Sequence, residues 1–370
     1  MKNLMQLWHA AAAIDPTLRF RRRDVPALLQ KRVKAGSFSR SQLFSRMAGG
    51  QICLFNDFPV SIKGMPSSQA EIVLPKLIKA GFPRCQMART QTGPSRTLRK
   101  LKVGEVVRRW ETGRAVIGVT DLHFRGTRFE EGIEYSALSD FDILCGSAEL
   151  VHYIEMMTLV ISSKGNYTDS HADDCDGSNH CFVGKKLWLA WDRIEGKAKG
   201  FQDVDRDRVK ERARFDLRTF LSLPSARWFV VGPGKTLFLP GSLAHKVISL
   251  EHYIGIGGFH VALPSYIRSL KRWILYDTLD VNEKGLLFKI NEAVIEKLRE
   301  LQNAAKCLRE RWGLSFLRLS IEEWKKNEKV EMKEQLLKHP AFAAFLEAAG
   351  SSLIDKDRRE GPSRRLSSVA

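Results

Sequence analysis

The stretch GNYTDSHADDCDGSNHCFVGKKLWLAW (residues 165–191) decides how this chain is read. Short apolar runs bracket it, MTLVIS at 157–162 before it and KLWLAW at 186–191 at its end. Both have strand length, β-branched or aromatic content and flanking turn residues. Between them stands H-x-D, formed by His171 and Asp173. On an extended strand, residues i and i+2 point to the same side, so this imidazole and carboxylate can converge on one metal ion. A third ligand is expected from a later strand that follows a turn, and GPGKTLFLPGSLAHKV (232–247) supplies His245. Two histidines and one carboxylate on one face leave positions open, a donor set suited to non-haem Fe(II) and oxygen chemistry. H-x-D alone is a common pattern, and its company gives it weight. Thr168 lies three residues before His171, and Lys186 lies thirteen after Asp173, opening an apolar strand. A lysine buried there needs an anion, because an unpaired buried charge is very costly. A dicarboxylate held by Lys186 and Thr168 meets that need. Lys185 is the alternative anchor, but neighbours on a strand face opposite ways and only one can enter the interior.

These elements, T-x-x-H-x-D at 168–173, G-x-K at 184–186 and P-G-x-x-x-x-x-P-x-x-x-x-H-x-V at 233–247, resemble the JmjC 2-oxoglutarate oxygenases. The resemblance extends over about residues 105–275 and is strongest within 160–262. T-D-S-H-A-D and the later G-G-F-H (257–260) resemble the JmjC lysine demethylases, whereas the Asp-to-Lys interval is similar to that of a JmjC asparaginyl hydroxylase. The resemblance implies a mainly β fold, a double-stranded β-helix of the jelly-roll, cupin-like kind, with helical N- and C-terminal flanks. It implies Fe(II) held by the catalytic residues His171, Asp173 and His245, with 2-oxoglutarate as co-substrate at Thr168 and Lys186 and O2 as the oxidant. Such enzymes couple oxidative decarboxylation of 2-oxoglutarate, to succinate and CO2, to hydroxylation of a substrate. Hydroxylation of an N-methyl carbon releases formaldehyde. Phe259 stands where the demethylase branch has an asparagine, the loop after Asp173 is shorter, and no zinc-finger cysteine pattern accompanies the domain. The implied function is oxidation of a macromolecule, with N-methyl-lysine of histones as the first reading and protein side-chain hydroxylation as the second. A non-catalytic JmjC-fold scaffold that binds nucleic acid is the third.

The rest of the chain frames this core. Its 370 residues, 44% hydrophobic and 28% charged, are those of a folded protein. No apolar run reaches the roughly eighteen residues that would suggest a membrane span. The opening MKNLMQLWHAAAAI is interrupted by Gln6 and His9 and followed by Arg19, Arg21, Arg22 and Arg23, which suits an amphipathic helix better than a secretory signal. We expect a basic, largely helical region over 1–104, the oxygenase domain over 105–275, a helical region over 276–352 and a disordered tail over 353–370. Within these, helices are expected at 25–33, 67–80, from 287 onward, at 320–336 and at 340–349, and a charged helical insert at 204–222. Residues 84–104 read as an exposed basic loop, and 115–119, 228–231, 236–239 and 253–256 as further strands.

Six scattered cysteines without C-x-x-C suggest reduced thiols and an intracellular, nuclear or otherwise cytoplasmic, location. The net charge of +18 is concentrated, since residues 1–114 carry 22 Lys and Arg against 6 Asp and Glu. That third is the candidate surface for nucleic acid, beside a histone-like protein substrate, and no membrane partner is expected. Tyr167 and His260 are candidate pocket residues. Trp188 and Trp191 read as sheet core, and Asp174 and Asp176 as solvated loop carboxylates. A zinc site from Cys175, His180 and Cys181 with His171 fits no standard spacing and ranks below strand packing. The tail sequence RRLSS (364–368) could accept phosphate from a basophilic kinase.

Overall fold

The structure, a computed structural model, describes residues 2–92, 97–146, 150, 157–202, 214–241, 243–276 and 285–352. Its strands in chain order are β1 (Cys53–Phe55), β2 (Ser61–Ile62), β3 (Met87–Thr92), β4 (Thr97–Lys102), β5 (Ile117–His123), β6 (Ile133–Glu134) and β7 (Thr158–Ser162). Then follow β8 (Tyr167–Ala172), β9 (Asp176–Val183), β10 (Lys186–Asp192), β11 (Arg227–Val231), β12 (Thr236–Leu239), β13 (Leu243–Ser249) and β14 (Tyr253–His260). One sheet runs β1-β12-β9-β14-β7-β5-β3-β4 and a second runs β11-β10-β13-β8, with β2 and β6 paired apart. The pairings are antiparallel, and helices flank the sheets at both ends of the chain. The protein is therefore β-rich and antiparallel, in line with the many short strands read from the sequence.

Alternation along β10 explains how the sheets stack. Leu187, Leu189 and Trp191 point outward and pack with Trp8, Leu28 and Phe220. Trp188 and Ala190 point inward, where they meet Phe229 and Val231 of the small sheet and Val160, Cys181, Leu237 and Tyr253 of the large one. A period of two thus sorts one strand's residues between the space separating the sheets and the layer behind them. The far face of the large sheet is covered by helices Ala70–Gly81 and Val103–Thr112 over Leu159, Ile161, Phe182 and Ile254. Helices Leu263–Tyr276, Leu286–Gln302, Leu314–Asn327 and Pro340–Ser352 build a separate apolar cluster.

Close approach of β9 and β14 depends on glycine. A Cβ on Gly257 would lie 2.1 Å from the Ser178 carbonyl oxygen, a backbone atom that cannot move aside alone. Gly257→Ala should therefore destabilise the protein by at least the upper part of the roughly 1–3 kcal/mol typical of overpacking, read as a drop in calorimetric Tm.

Several sequence expectations change. The described part of 84–104 is no loop, since β3 and β4 form an antiparallel hairpin on the edge of the large sheet. Among its described residues only Ala88 and Thr90 are buried, too small a signal beside the surrounding charge. The sheet runs across residue 104, because β1, β3 and β4 belong to the same sheet as β5, β7, β9, β12 and β14. The helix expected over 25–33 is Val25–Gln30, and the chain beyond it is extended. Val33 donates to the Trp228 carbonyl at 2.9 Å and Gly36 to the Leu54 carbonyl at 2.9 Å, so this strap bridges the edges of the two sheets. The helix expected over 320–336 is two, Leu314–Asn327 and Val330–Leu337, with an extended break at Glu328, whose carboxylate pairs with Lys271. Of the expected insert at 204–222, residues 204–213 lie outside the described residues, as does the tail at 353–370, and Leu217–Ser222 is helical. Among the described residues no helix is long and apolar enough to cross a membrane.

Candidate functional site

The small sheet brings the three expected metal ligands together. His171 on β8 and His245 on β13 are direct partners across the antiparallel ladder, with ring centroids 4.1 Å apart. Asp173 follows the end of β8, with one carboxylate oxygen 4.0 Å from His171 Nε2 and the other 3.6 Å from His245 Nε2. Donor atoms bound at about 2.1 Å to one divalent ion lie at most about 4.2 Å apart, so both separations admit a shared ion. Among the described residues this is the one group of three or more His, Cys, Asp or Glu side chains close enough to hold a metal.

Backbone carbonyls orient both imidazoles. His171 Nδ1 lies 2.8 Å from the Asp169 carbonyl oxygen, and His245 Nδ1 lies 3.1 Å from the Leu243 carbonyl oxygen. A carbonyl only accepts, so each Nδ1 carries the proton and each Nε2 keeps its lone pair for the centre. Burial, with His171 beside it, pushes His245 down to about 4, which keeps the ring neutral and fit to ligate. His245 is buried while His171 and Asp173 are half-buried, so the group opens to solvent on one side. Trp188 stacks on His245, its centroid 5.5 Å away, and its indole Nε1 has no hydrogen-bond partner. Trp188 packs into the apolar cluster between the sheets, as a sheet-core residue does, and its inward face, shared with Lys186, also brings it against His245.

Lys186 lies deeper between the sheets. Its ammonium sits 4.3 Å above the Tyr253 ring, and among the described residues no carboxylate pairs with it. Burial pushes this ammonium down to about 7, with the Cys181 thiol working in the opposite direction. Lys185 turns the other way and pairs with Glu251 at 2.7 Å on the surface. Lys186 stands across from Ser249, whose hydroxyl is 2.9 Å from that of Ser162, and the Tyr253 hydroxyl meets Asn179. None of Ser162, Asn179, Ser249 or Tyr253 is singled out by the sequence, because none stands at a ligand spacing in a motif. Thr168 stands across from Val247, next along β13 on the inner face from His245. Ala190 faces His245 and Lys186 faces Ser249, so the triad and lysine rows are four residues, about 13 Å, apart along β10.

Other expected site residues lie elsewhere. Tyr167 packs on the outer side of the small sheet, with Lys246 over its ring. His260 is on the outer side of the large sheet, bonded to the Ser178 hydroxyl and 3.8 Å from Asp142. Asp176 is no solvated loop carboxylate: it is buried, accepts from Gly241 at 2.7 Å and pairs with Arg268 at 2.9 Å, which holds its pKa down against burial. His180 bonds Thr236 and does not join Cys175, Cys181 and His171 in a metal group. All six cysteines are free. No family model matches the chain, and no curated protein matches it either.

Proposed function

We propose that the protein is a JmjC-type Fe(II)- and 2-oxoglutarate-dependent oxygenase that oxidises a macromolecular substrate. The observation that carries this reading is the pairing of a His171–Asp173–His245 group with a buried lysine that meets no carboxylate among the described residues, both between the same two sheets. A structural lysine in such a place would have an acidic neighbour; one that awaits an anionic ligand would not. From β7 to β14 the chain passes back and forth between the sheets, β7, β9, β12 and β14 in one and β8, β10, β11 and β13 in the other. That winding supports a double-stranded β-helix.

The residues fit the groups that this reading requires. His171, Asp173 and His245 would hold the iron, and Lys186 would receive the far carboxylate of 2-oxoglutarate across a span that a five-carbon diacid and a lysine side chain cover together. Ser249, Thr168 and the free Trp188 Nε1 supply hydrogen-bond capacity around it. When bound, iron and 2-oxoglutarate would supply oxidation by O2, coupled to decarboxylation of the 2-oxoglutarate to succinate. The chain's own work is to fix the donor geometry, keep both Nε2 atoms unprotonated, and wall the inner site with Trp188, Phe229 and Tyr253 so that water stays out.

The test is anaerobic Fe(II) and 2-oxoglutarate titration, then aerobic assay on methylated histone peptides and unmethylated proteins. Formaldehyde with a loss of about 14 daltons identifies a demethylase, and a gain of about 16 daltons without formaldehyde identifies a side-chain hydroxylase. Phe259, an apolar residue where an asparagine would hydrogen-bond, favours keeping the second arm. Absence of any 2-oxoglutarate-dependent succinate would leave the non-catalytic scaffold.

The basic N-terminal third gives a nucleic-acid partner a defined surface. On the outer face of the β3–β4 hairpin Arg89 stands directly across from Lys100, and Lys102 follows two residues on, all exposed. Like charges directly opposite repel, so the hairpin bears this arrangement at a local cost that a phosphate backbone would relieve. Replacing Arg89, Lys100 and Lys102 by glutamine should weaken duplex DNA binding and reduce the salt slope of affinity by roughly one per lost phosphate contact, measured by fluorescence anisotropy over a salt series. An unchanged slope would remove the hairpin from the interface.

A further inference from the structure

Directly behind the metal group, on the outer side of the small sheet, lies a buried charge cluster. Lys246, the neighbour of His245, is almost fully enclosed, with 2% of its surface exposed. Its ammonium is 2.8 Å from Asp15 and 2.5 Å from Asp169, with the rings of Tyr167 and Phe215 at 5.1 and 5.6 Å. These residues come from distant parts of the chain. Asp15 ends the helix Lys2–Ile14 and caps the next turn by accepting from Thr17, while Asp169 lies two residues before His171. His245 pairs with His171 and Val247 with Thr168, so β8 spends three steps where β13 spends two, and Asp169 lies inside that bulge. Lys246 is the β13 residue between those two pairings. The same Asp169 accepts the His171 Nδ1–H through its carbonyl oxygen. A bulge re-aims side chains, and a mobile one would let the His171 ring swing.

We propose that Lys246 is a positioning residue for the metal centre. Clamped between Asp15 and Asp169, it pins the β8 bulge so that the Asp169 carbonyl holds the His171 ring with Nε2 toward Asp173 and His245. The inference rests on the metal reading of that group. Stability alone is a poor reason for such a cluster, because a buried ion cluster is often no more stabilising than apolar residues of the same size. What charges add is a unique register, and here the register being held is that of a metal ligand. The N-terminal helix becomes part of the metal site's support through Asp15, although none of its described residues belongs to the His171–Asp173–His245 group.

The test uses the full chain and Co(II) as a spectroscopic probe. Asp169→Asn keeps the carbonyl and the side-chain size. The triple variant Asp15→Asn/Lys246→Met/Asp169→Asn removes all the charge at once, leaving no carboxylate stranded. Both should remain folded and bind Co(II) about 10–100-fold more weakly, the usual effect of losing an outer partner of a ligand. In the metal-free protein the His171 ring nitrogens should show a fixed Nδ1–H tautomer by NMR in the wild type and an averaged one in the variants. Leu28→Ala, which trims the same N-terminal packing away from the cluster, should lower the Tm yet keep wild-type Co(II) affinity. Folded variants that bind Co(II) within about twofold of wild type, with an unchanged His171 tautomer, would overturn the proposal. So would a Leu28→Ala loss of Co(II) affinity as large as theirs. A wild-type chain that binds no Co(II) would instead remove the metal reading itself, and the His171 tautomer would still report whether the cluster orients the ring.

Discussion

Asp173→Ala should abolish metal retention and all 2-oxoglutarate turnover while leaving the fold in place. The two imidazoles that remain cannot define a facial geometry, and the only anionic donor of the group is gone. Loss of a residue that merely supports a ligand costs about 10–100-fold in metal affinity, so loss of the carboxylate itself should exceed about 100-fold. Asp173 is half-buried at the end of β8 and not part of the apolar packing, so the Tm without metal should change little. The difference appears on adding metal. A wild-type chain at a hundredfold excess of metal over Kd gains roughly 2.7 kcal/mol of stability, and the variant gains none. Calorimetry with and without Co(II), together with succinate formation under Fe(II), measures both halves. Wild-type succinate production by the variant would sink the assignment.

Lys186→Met should separate co-substrate binding from metal binding and raise stability while it lowers function. Methionine fills the space above Tyr253 with an apolar chain, so a buried ammonium with no carboxylate partner among the described residues is replaced by a residue suited to its surroundings. The Tm of the ligand-free protein should stay level or rise, and Co(II) affinity should hold. Affinity for 2-oxoglutarate should fall, because breaking a buried charge pair costs about 2–5 kcal/mol, which is at least about 30-fold in Kd. The wild type carries a pH signature with a defined sign. Burial pushes the Lys186 ammonium down to about 7, so above that pH the ligand-free protein holds a neutral amine. The dianion binds the protonated form, so binding takes up a proton, and affinity should fall about tenfold per pH unit above about 7. Isothermal titration in buffers of different ionisation enthalpy reads the proton uptake directly. A 2-oxoglutarate affinity that is unchanged in Lys186→Met would assign the anchor to another residue.

How much of this was legible in the chain depends on whether the relevant physics is local. Strand runs such as residues 157–162, 228–231 and 236–239 reappear as β7, β11 and β12 because β-branched and aromatic residues between turns fit a pleated, half-buried surface wherever it forms. Asp173 reaches His171 from just beyond the end of β8, and the opposed facing of Lys185 and Lys186 follows from the two-residue period of a strand. The same rule, carried two residues further, would have turned Trp188 inward. Where the signal weakened, non-local contacts decided. The hairpin at β3 and β4 buries little of its own and exists because the edge of a large sheet offers it hydrogen-bond partners. The strap after Gln30 is extended because two sheet edges lie on either side of it. Tyr167 and His260 sit close to the motifs in sequence yet face away from the site, since alternation at a bulge or near a strand end cannot be phased from residue types alone. The sequence by itself thus determined that His171 and Asp173 would come together with His245 as a candidate group, and that Lys186 would face inward. Tertiary structure alone decided that Asp15, Asp169 and Lys246 would meet behind them, because a buried charge cluster is specified by distant strands and a helix closing on one point, and no window of neighbouring residues contains that closure.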